Sequence, residues 1–549
     1  MNCKNCNTGF DITQSDKEIY GQLAVPEPTL CPDCRNKRRM AYRNDRSFYR
    51  DKSDLSGKSM ISLYAPGRPY KVYLSTEWYS DNWNPLDFGR DFDFSRPFFE
   101  QFEELQREVP RMNLDIVNCE NSEFCNYCGD DRNCYLDIAG EANEDCYYNL
   151  FVKYSKDTVD STFVYNSRLC YESINCYECH NVKYGQYCNN TSDSAFVYDL
   201  IGCKNCLFSY NLRNKEYYIF NKPHSKEEFE KKWNEILSGS YTLLQSAIEK
   251  WKEHLPVNAI FRDSYQVNCE NCTGNNLKDC KNVQFGFNVT NAEDSKYLYD
   301  VLDAKDCVDL NYSLYKPELS VELISTLNMT HSAFSMASHY CHDIFYCDQT
   351  NHSKHLFACD GLTHKEYCIL NKQYSKEEYE DLKSKIVEHM KKTGEWGQFF
   401  PANLSPFGYN ETVAQEYFPL TKEQAQKSDF KWQDYKAPPP EATKSIPADR
   451  LPDSITEIPD DVTNWAIVDE VNGRPFKIIP QELRFYRNHF LPVPHRSPDQ
   501  RHLDRMAKRT PRRLFDRKCG KCGANIKTTY APERPEKIYC EACYHKEVY

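Results

Sequence analysis

Small, apolar and polar positions recur along the middle of this chain at fixed intervals. One column, twelve residues apart, reads Cys134, Cys146, Thr158, Cys170, Val182, Ser194, Cys206. Asn or Asp often precedes it, at Asn133, Asp145, Asp157, Asn181, Asp193 and Asn205. Six residues after the first column comes a second, Gly140, Val152, Val164, Cys176, Cys188, Leu200, Leu212. Between them lie Leu136, Tyr148, Tyr184, Phe196, Phe208 and Ile138, Leu150, Ile174, Tyr198, Tyr210. Small and apolar residues at every second position have the strand period. The polar residues between them (Asp137, Asn149, Ser161, Ser173, Ser209) are expected to face outward. The Asx residues suit turns that open each strand. Strands and turns at fixed spacing predict a β-solenoid, with two 12-residue repeats per coil of about 24 residues. A meander of short hairpins fits the same pattern. Cys280, Ser295, Cys307, Cys341 and Ser353 continue the repeat less regularly.

Two longer repeats organise the rest. At an offset of about 150, Val117-Asn118-Cys119-Glu120-Asn121 recurs as Val267-Asn268-Cys269-Glu270-Asn271, and Ser225-Lys226-Glu227-Glu228 recurs as Ser375-Lys376-Glu377-Glu378. The Ser-x-x-Glu groups are capping boxes, so a helix is predicted to close each middle half. At an offset of 466, Phe10, Ile12, Tyr20, Pro28, Arg35 and Met40 recur as Phe476, Ile478, Tyr486, Pro494, Arg501 and Met506. Gly57, Tyr64-Ala65-Pro66 and Tyr73 recur as Gly523, Tyr530-Ala531-Pro532 and Tyr539. Each end is therefore one copy of a two-part unit.

Composition adds metal chemistry. The 549 residues are 40% hydrophobic and carry a net charge of -12, which excludes a uniformly basic coat for nucleic acid. No apolar run approaches the ~18–20 residues that span a bilayer, so no membrane association is expected. Met1-Asn2-Cys3-Lys4 opens without an apolar signal segment, which points to the cytoplasm. There the 27 cysteines stay reduced, as metal ligands or core residues.

Cys3-x-x-Cys6 with Cys31-x-x-Cys34, and Cys519-x-x-Cys522 with Cys540-x-x-Cys543, have the spacing of four-thiolate zinc sites. A Cys-x-x-Cys turn supplies two tetrahedral corners, and two turns close the site. Two Zn²⁺ per chain are expected. The repeat is an internal control. Cys3, Cys6, Cys31 and Cys34 align with Asp469, Asn472, Ser497 and Gln500, while Cys519, Cys522, Cys540 and Cys543 align with Ser53, Ser56, Leu74 and Glu77. Each quartet is lost as a whole. Packing by Phe476, Ile478 and Tyr486, or by Tyr64, Tyr73 and Trp78, is expected to hold the metal-free copies.

Residues 1–39, ending Cys31-Pro32-Asp33-Cys34-Arg35-Asn36-Lys37-Arg38-Arg39, resemble the bacterial "probable zinc-ribbon" family. Residues 517–545, with Arg534-Pro535 before Tyr539-Cys540, resemble a related short zinc ribbon. The whole layout is similar to large cysteine-rich proteins from bacterial metagenomes. The resemblance implies zinc binding and no particular activity. The expected fold is mainly β with some α: two tandem β-solenoid-like segments, each closed by a helix, flanked by duplicated zinc-ribbon or treble-clef-like modules. The boundaries are a zinc module over 1–50 and a metal-free one over 51–80. Solenoid segments follow at 110–224 and 258–374, with a helical connector at 225–257 and a helix at 375–394. Residues 395–461 form an irregular, Pro-rich linker. A metal-free copy of the first module spans 462–516, and a zinc module spans 517–549.

The remaining Cys-x-x-Cys pairs (Cys125/Cys128, Cys176/Cys179, Cys203/Cys206, Cys269/Cys272) alternate by column with Val, Thr, Ser and Leu, as packed core positions do. Cys176, Cys179, His180 and Cys188 stay open as a further metal site. Residues 35–52 and 501–518 each carry a charge of +6, leaving the remainder at -24. The basic set Arg35, Lys37, Arg38, Arg39, Arg43, Arg46, Arg505, Arg509, Arg512 and Arg513 could contact RNA, a ribonucleoprotein or another protein, or pair with this chain's own acidic repeats. The leading expectation is a zinc-binding, non-enzymatic scaffold or adaptor. The alternatives are an enzyme acting on a polymer along the solenoid, or a thiol or metal sensor. Asp137, Asp160 and Glu172 belong to no recognisable catalytic constellation. The oligomeric state is not legible.

Overall fold

The computed structural model describes residues 1–549. It is mixed and sheet-rich, with twelve α-helices. The chain forms two compact units. One comprises Met1–Leu114, Ser264–Tyr435 and Arg512–Leu514, and the other comprises Asp115–Asp263, Lys436–Pro511 and Phe515–Tyr549.

The second unit shows how the middle repeat folds. Its large sheet runs in sequence order from Leu150–Lys153 to Glu216–Ile219, every pair parallel. Leu150 pairs with Thr162, Thr162 with Ile174, and Tyr198 with Tyr210. Isolated bridges carry the same register back to Glu120↔Arg132. The chain thus lies beside itself after 12 residues, and the expected coil of about 24 residues is corrected to half that length. Large parallel sheets in this register fit a solenoid-like arrangement.

The side-chain period is also corrected. Every third residue points inward, not every second. Asp137, Asn149, Ser161, Ser173 and Ser209, expected outside, are all fully buried. The residue before each inward position takes a left-handed backbone, as at Asn133 (φ 55), Asp145 (φ 54), Tyr148 (φ 62), Phe196 (φ 54) and Asn205 (φ 53). These left-handed corners turn the chain after each triplet. No Val, Ile or Thr occupies one, because a branched Cβ clashes there. Many corners hold Asx residues, which bond to the corner one turn on, as Asn181 does to Asp193, or aromatic residues, which stack; Leu136, Ala139, Ala142, Glu172 and Glu178 occupy others. Tyr184, Phe196, Phe208 and Phe220 stack coil upon coil at 4.7, 5.0 and 4.8 Å, beside Trp251 of helix Tyr241–Asn258.

The inward residues are small and polar for a reason of hydrogen bonding. Inward N–H groups point into a space filled by side chains and need acceptors there. Asn143 N donates to Asp131 Oδ1 (2.9 Å), Ser155 N to Asn143 Oδ1 (3.1 Å), Ser167 N to Ser155 Oγ (3.2 Å) and Cys179 N to Ser167 Oγ (3.0 Å). Inward hydroxyls and thiols in turn donate to the carbonyl two residues earlier, as Ser155 does to Lys153 O (2.9 Å) and Cys146 to Glu144 O (3.5 Å). Cys, Ser and Asn are the side chains small enough to fit and polar enough to serve.

The first unit repeats the plan with two slips. Gln266 pairs with Leu277, eleven residues on, and Lys305 pairs with Glu318, thirteen on. These slips account for the weaker periodicity after residue 258. Both ladders end alike, in an antiparallel hairpin (Glu216–Ile219 with Lys222–Pro223; Glu366–Ile369 with Lys372–Gln373). Each hairpin leads into a helix with the predicted capping box, Lys226–Ile236 after Ser225 and Lys376–Thr393 after Ser375.

The terminal repeat is reproduced element by element. Helices Gln14–Gln22 and Pro32–Met40 recur as Pro480–Asn488 and Pro498–Ala507. Hairpin Tyr49–Lys52/Ser59–Ser62 recurs as Phe515–Lys518/Asn525–Thr528. Residues 395–436 are not all irregular, since they include helices Val413–Tyr417 and Lys422–Lys427.

Candidate metal centres

Each quartet is built from a tight turn and a helix start. In the first, Cys3 N donates to Thr8 O (3.0 Å) and Asn7 N to Cys3 O (2.9 Å), with Asn7 at φ 59. Cys31 caps helix Pro32–Met40, whose first turn carries Cys34. In the second, Cys519 N donates to Ala524 O (2.8 Å) and Gly523 N to Cys519 O (3.0 Å), with Gly523 at φ 75. Cys540 caps helix Glu541–Val548, which carries Cys543. The turns aim N–H groups at sulfur. Cys540 N lies 3.3 Å from Cys519 Sγ. Burial raises the Cys3 thiol, but the N–H groups of Cys31, Cys6 and Asn5 together bring it down to about 6, and Cys519 is brought to about 6 in the same way.

All four sulfurs of each quartet lie within 4.8 Å of one another. Cys6 Sγ is 3.6 Å from Cys31 Sγ, and Cys522 Sγ is 3.8 Å from Cys540 Sγ. Four sulfurs at ~2.3 Å from a tetrahedral ion are about 3.8 Å apart, so both donor sets fit a metal ion. Four thiolates leave no open position, and each centre could hold a metal without offering it to a substrate.

The cysteine-free copies keep the turn and place hydrogen-bonding side chains where the thiols stand. At the first, Asp469 Oδ1 accepts from Val471 N (2.8 Å) and Asn472 N (3.2 Å), and Asp469 Oδ2 accepts from Ser497 N (2.6 Å). Asn472 Nδ2 donates to Gln500 Oε1 at 3.4 Å, and Gln500 N to Ser497 Oγ at 3.3 Å. All four replacements are thus linked. At the second, Ser53 Oγ donates to Glu77 Oε2. Burial raises the Glu77 carboxyl, but hydrogen bonds from Ser53 and Ser56 bring it below its usual range. The residues expected to pack these copies, Phe476, Ile478, Tyr486, Tyr64, Tyr73 and Trp78, are all buried.

Most of the basic set turns inward. Arg35, Arg39, Arg43 and Arg505 are buried and ion-paired, which fits pairing with this chain's own carboxylates and leaves these four unexposed to RNA or another protein. Arg35 Nε lies 2.6 Å from Asp309 Oδ2, Arg39 Nη2 3.3 Å from Asp309 Oδ1, and Arg43 Nε 2.6 Å from Asp45 Oδ1. Arg505 Nη1 stands 2.9 Å from Asp160 and 3.0 Å from Glu172. Arg38 reaches Glu322 at 3.1 Å, and Arg512 pairs with Asp300. Lys37 lies 6.0 Å over the Phe430 ring and Arg509 4.4 Å over Phe163. Arg46 is half-buried, and Arg513 is exposed.

All 27 cysteines are free thiols. Cys176, Cys179 and Cys188 are buried inside the ladder, whereas His180 is exposed, so the four do not converge. Of the carboxylates weighed for catalysis, Asp137 and Asp160 are fully buried, and Glu172 lines a cavity with Tyr184, Trp251 and Lys508. Sequence reading missed a third cluster, Cys128 with Asp131 and Asp137. Counting in threes from Cys128 would have placed all three residues inside.

No helix is long and apolar enough to cross a membrane. No family model matches the chain, and no curated protein matches it. Among solved structures, the chain aligns with a proposed acetyltransferase from Desulfovibrio desulfuricans G20 at 9% identity and a TM-score of 0.11. The alignment covers 43% of this chain and 65% of that one, and at this score it carries no inference.

Proposed function

We propose that this chain is a non-enzymatic, cytoplasmic scaffold stapled by two structural zinc ions held in zinc-ribbon modules. The observation that carries this reading is the loss of each quartet as a set on an unchanged turn, with four linked side chains standing in its place at one of the two copies. A site whose metal can be exchanged for the Asp469–Asn472–Ser497–Gln500 network serves to hold shape. Zn²⁺ suits the site because four thiolates select a soft or borderline tetrahedral ion, and a closed shell has no place for substrate.

The scaffold reading extends to the ladders, whose regular outer faces offer a surface to a partner. Against RNA as that partner stands the internal use of Arg35, Arg39, Arg43 and Arg505. A salt-dependent titration with total RNA tests it, and affinity weaker than the ~10⁻⁴–10⁻⁶ M of non-specific binding would end it. The scaffold reading itself is tested by removing zinc with a chelator and following limited proteolysis. Protection lost at the termini and regained with Zn²⁺ supports it; an unchanged digest overturns it.

A further inference from the structure

The turn of chain from Asp131 to Ala142 differs from every later turn of its ladder. Its inward residues are Asp131, Cys134, Asp137 and Gly140, so one turn encloses two carboxyl groups. The equivalent positions one turn on are Asn143, Cys146, Asn149 and Val152. Asp131 and Asp137 are 1% and 0% exposed. One oxygen of each is used: Asp131 Oδ1 accepts from Asn143 N (2.9 Å), and Asp137 Oδ2 from Asn143 Nδ2 (2.8 Å). The other two, Asp131 Oδ2 and Asp137 Oδ1, are buried with no hydrogen-bond partner.

The two carboxyl groups and the Asn143 amide nitrogen converge on a notch at Gly140. A Cβ placed on Gly140 would lie 2.5 Å from Asp137 Oδ2 and 2.8 Å from Asp131 Oδ2. Only glycine leaves that space to the carboxyl groups. The thiol of Cys128, one turn earlier in the same column, borders it and accepts from Gly140 N at 3.3 Å. Sulfur and carboxyl oxygens lie within 4.8 Å of one another. The nearby buried ammonium of Lys153 is engaged by Glu141 at 3.2 Å. Two buried carboxyl groups and a thiol whose one nearby cation is already paired with Glu141 need protons or a metal.

We propose that this turn binds a third metal ion, a borderline divalent cation of the zinc class, through the Cys128 thiolate and one oxygen each of Asp131 and Asp137. Binding displaces the thiol proton, which otherwise goes to Asn126 O or Asp137 O (3.3 and 3.1 Å), and whatever protons the carboxyl groups hold. A thiolate with two carboxylates disfavours Ca²⁺ and Mg²⁺, which want oxygen alone. Three protein ligands leave a fourth coordination position to a group other than these side chains. The ion would pin the first turns of the ladder, where pairing consists of the two-residue strands Ile116–Val117 and Cys128–Gly129 and isolated bridges rather than longer strands.

The test is a metal count on the full chain purified without chelator, with the same count on Asp137→Asn and Asp131→Asn. Three equivalents of zinc in the wild type, falling to two in each variant, support the proposal. Two equivalents in the wild type, or a third that survives both substitutions, overturn it and leave a proton-sharing pair of carboxyl groups. ¹¹³Cd loading of the wild type needs no variant. A mixed sulfur–oxygen site gives a resonance well upfield of the tetrathiolate pair, and its absence from a spectrum that shows that pair also overturns the proposal. The tetrathiolate signals report separately on the terminal centres.

Discussion

Arg505 and Asp160, 345 residues apart, meet as a fully buried ion pair at 2.9 Å. The pair docks helix Pro498–Ala507 onto the ladder of its unit, with Arg501 and Glu172 completing the network. The other unit repeats the device 466 residues earlier. Arg35 and Arg39 of helix Pro32–Met40 meet Asp309, and Arg39 also faces Glu322 at 3.6 Å. Burial pushes the Asp160 carboxyl up, and Arg501 and Arg505 pull it back.

Substitution Arg505→Met should therefore cost about 3–5 kcal/mol, since it leaves buried carboxylates short of a partner. Asp160→Asn with Arg505→Met should recover part of that loss. Denaturant titration of the single and double variants measures the coupling; strictly additive losses would show that the pair does not act as a unit.

Substitution Cys522→Ser should remove one equivalent of zinc and leave the N-terminal centre loaded. Ser56→Ala, at the aligned metal-free position, should change the metal content not at all. Inductively coupled plasma analysis of both variants separates ligand from non-ligand.

The metal-free copies keep the turn a metal needs, with Gly473 at φ 69 where Asn7 stands at φ 59. Introducing Asp469→Cys, Asn472→Cys, Ser497→Cys and Gln500→Cys together should give one zinc equivalent more than the wild type. Three of the four should bind weakly, because an incomplete shell leaves an open corner. A competitive chelator titration reads the difference.

Lys183 is 3% exposed, and burial brings its ammonium down to about 8. Folding thus disfavours its charge. The penalty is present in full below pH 8 and fades as pH rises from 8 toward the ordinary value of ~10.4, where the unfolded chain also loses its proton. Lys183→Met should stabilise the protein at pH 7, by up to about 3 kcal/mol, and much less at pH 10. Melting curves at the two pH values check the sign.

Native thiol titration should find few reactive groups beyond the terminal quartets. Only Cys119, Cys269 and Cys272 of the middle cysteines are partly exposed. Rapid reaction of most of the others would favour a thiol sensor over a packed core. Cys176→Ser should be nearly neutral, and Cys176→Leu should cost about 1–3 kcal/mol through overpacking.

The sequence alone determined the cysteine quartets, their loss as sets, the two capping boxes and the 12-residue step, because each depends on spacing within a few residues or on repeats of the same spacing. The Asx residues marked the corners for the same local reason. The tertiary structure decided what the step meant. A period of three with a left-handed residue in every triplet lies outside the ordinary strand and helix periods, so Asp137, Asn149 and Ser161 read as surface while they fill the interior. It also decided the fate of the basic segments. A run of arginines looks the same whether it meets solvent or a buried carboxylate, and the carboxylates that claim Arg39 and Arg505 lie roughly three hundred residues away. Only folding brings such charges together, and only there does desolvation turn a surface patch into an internal clasp.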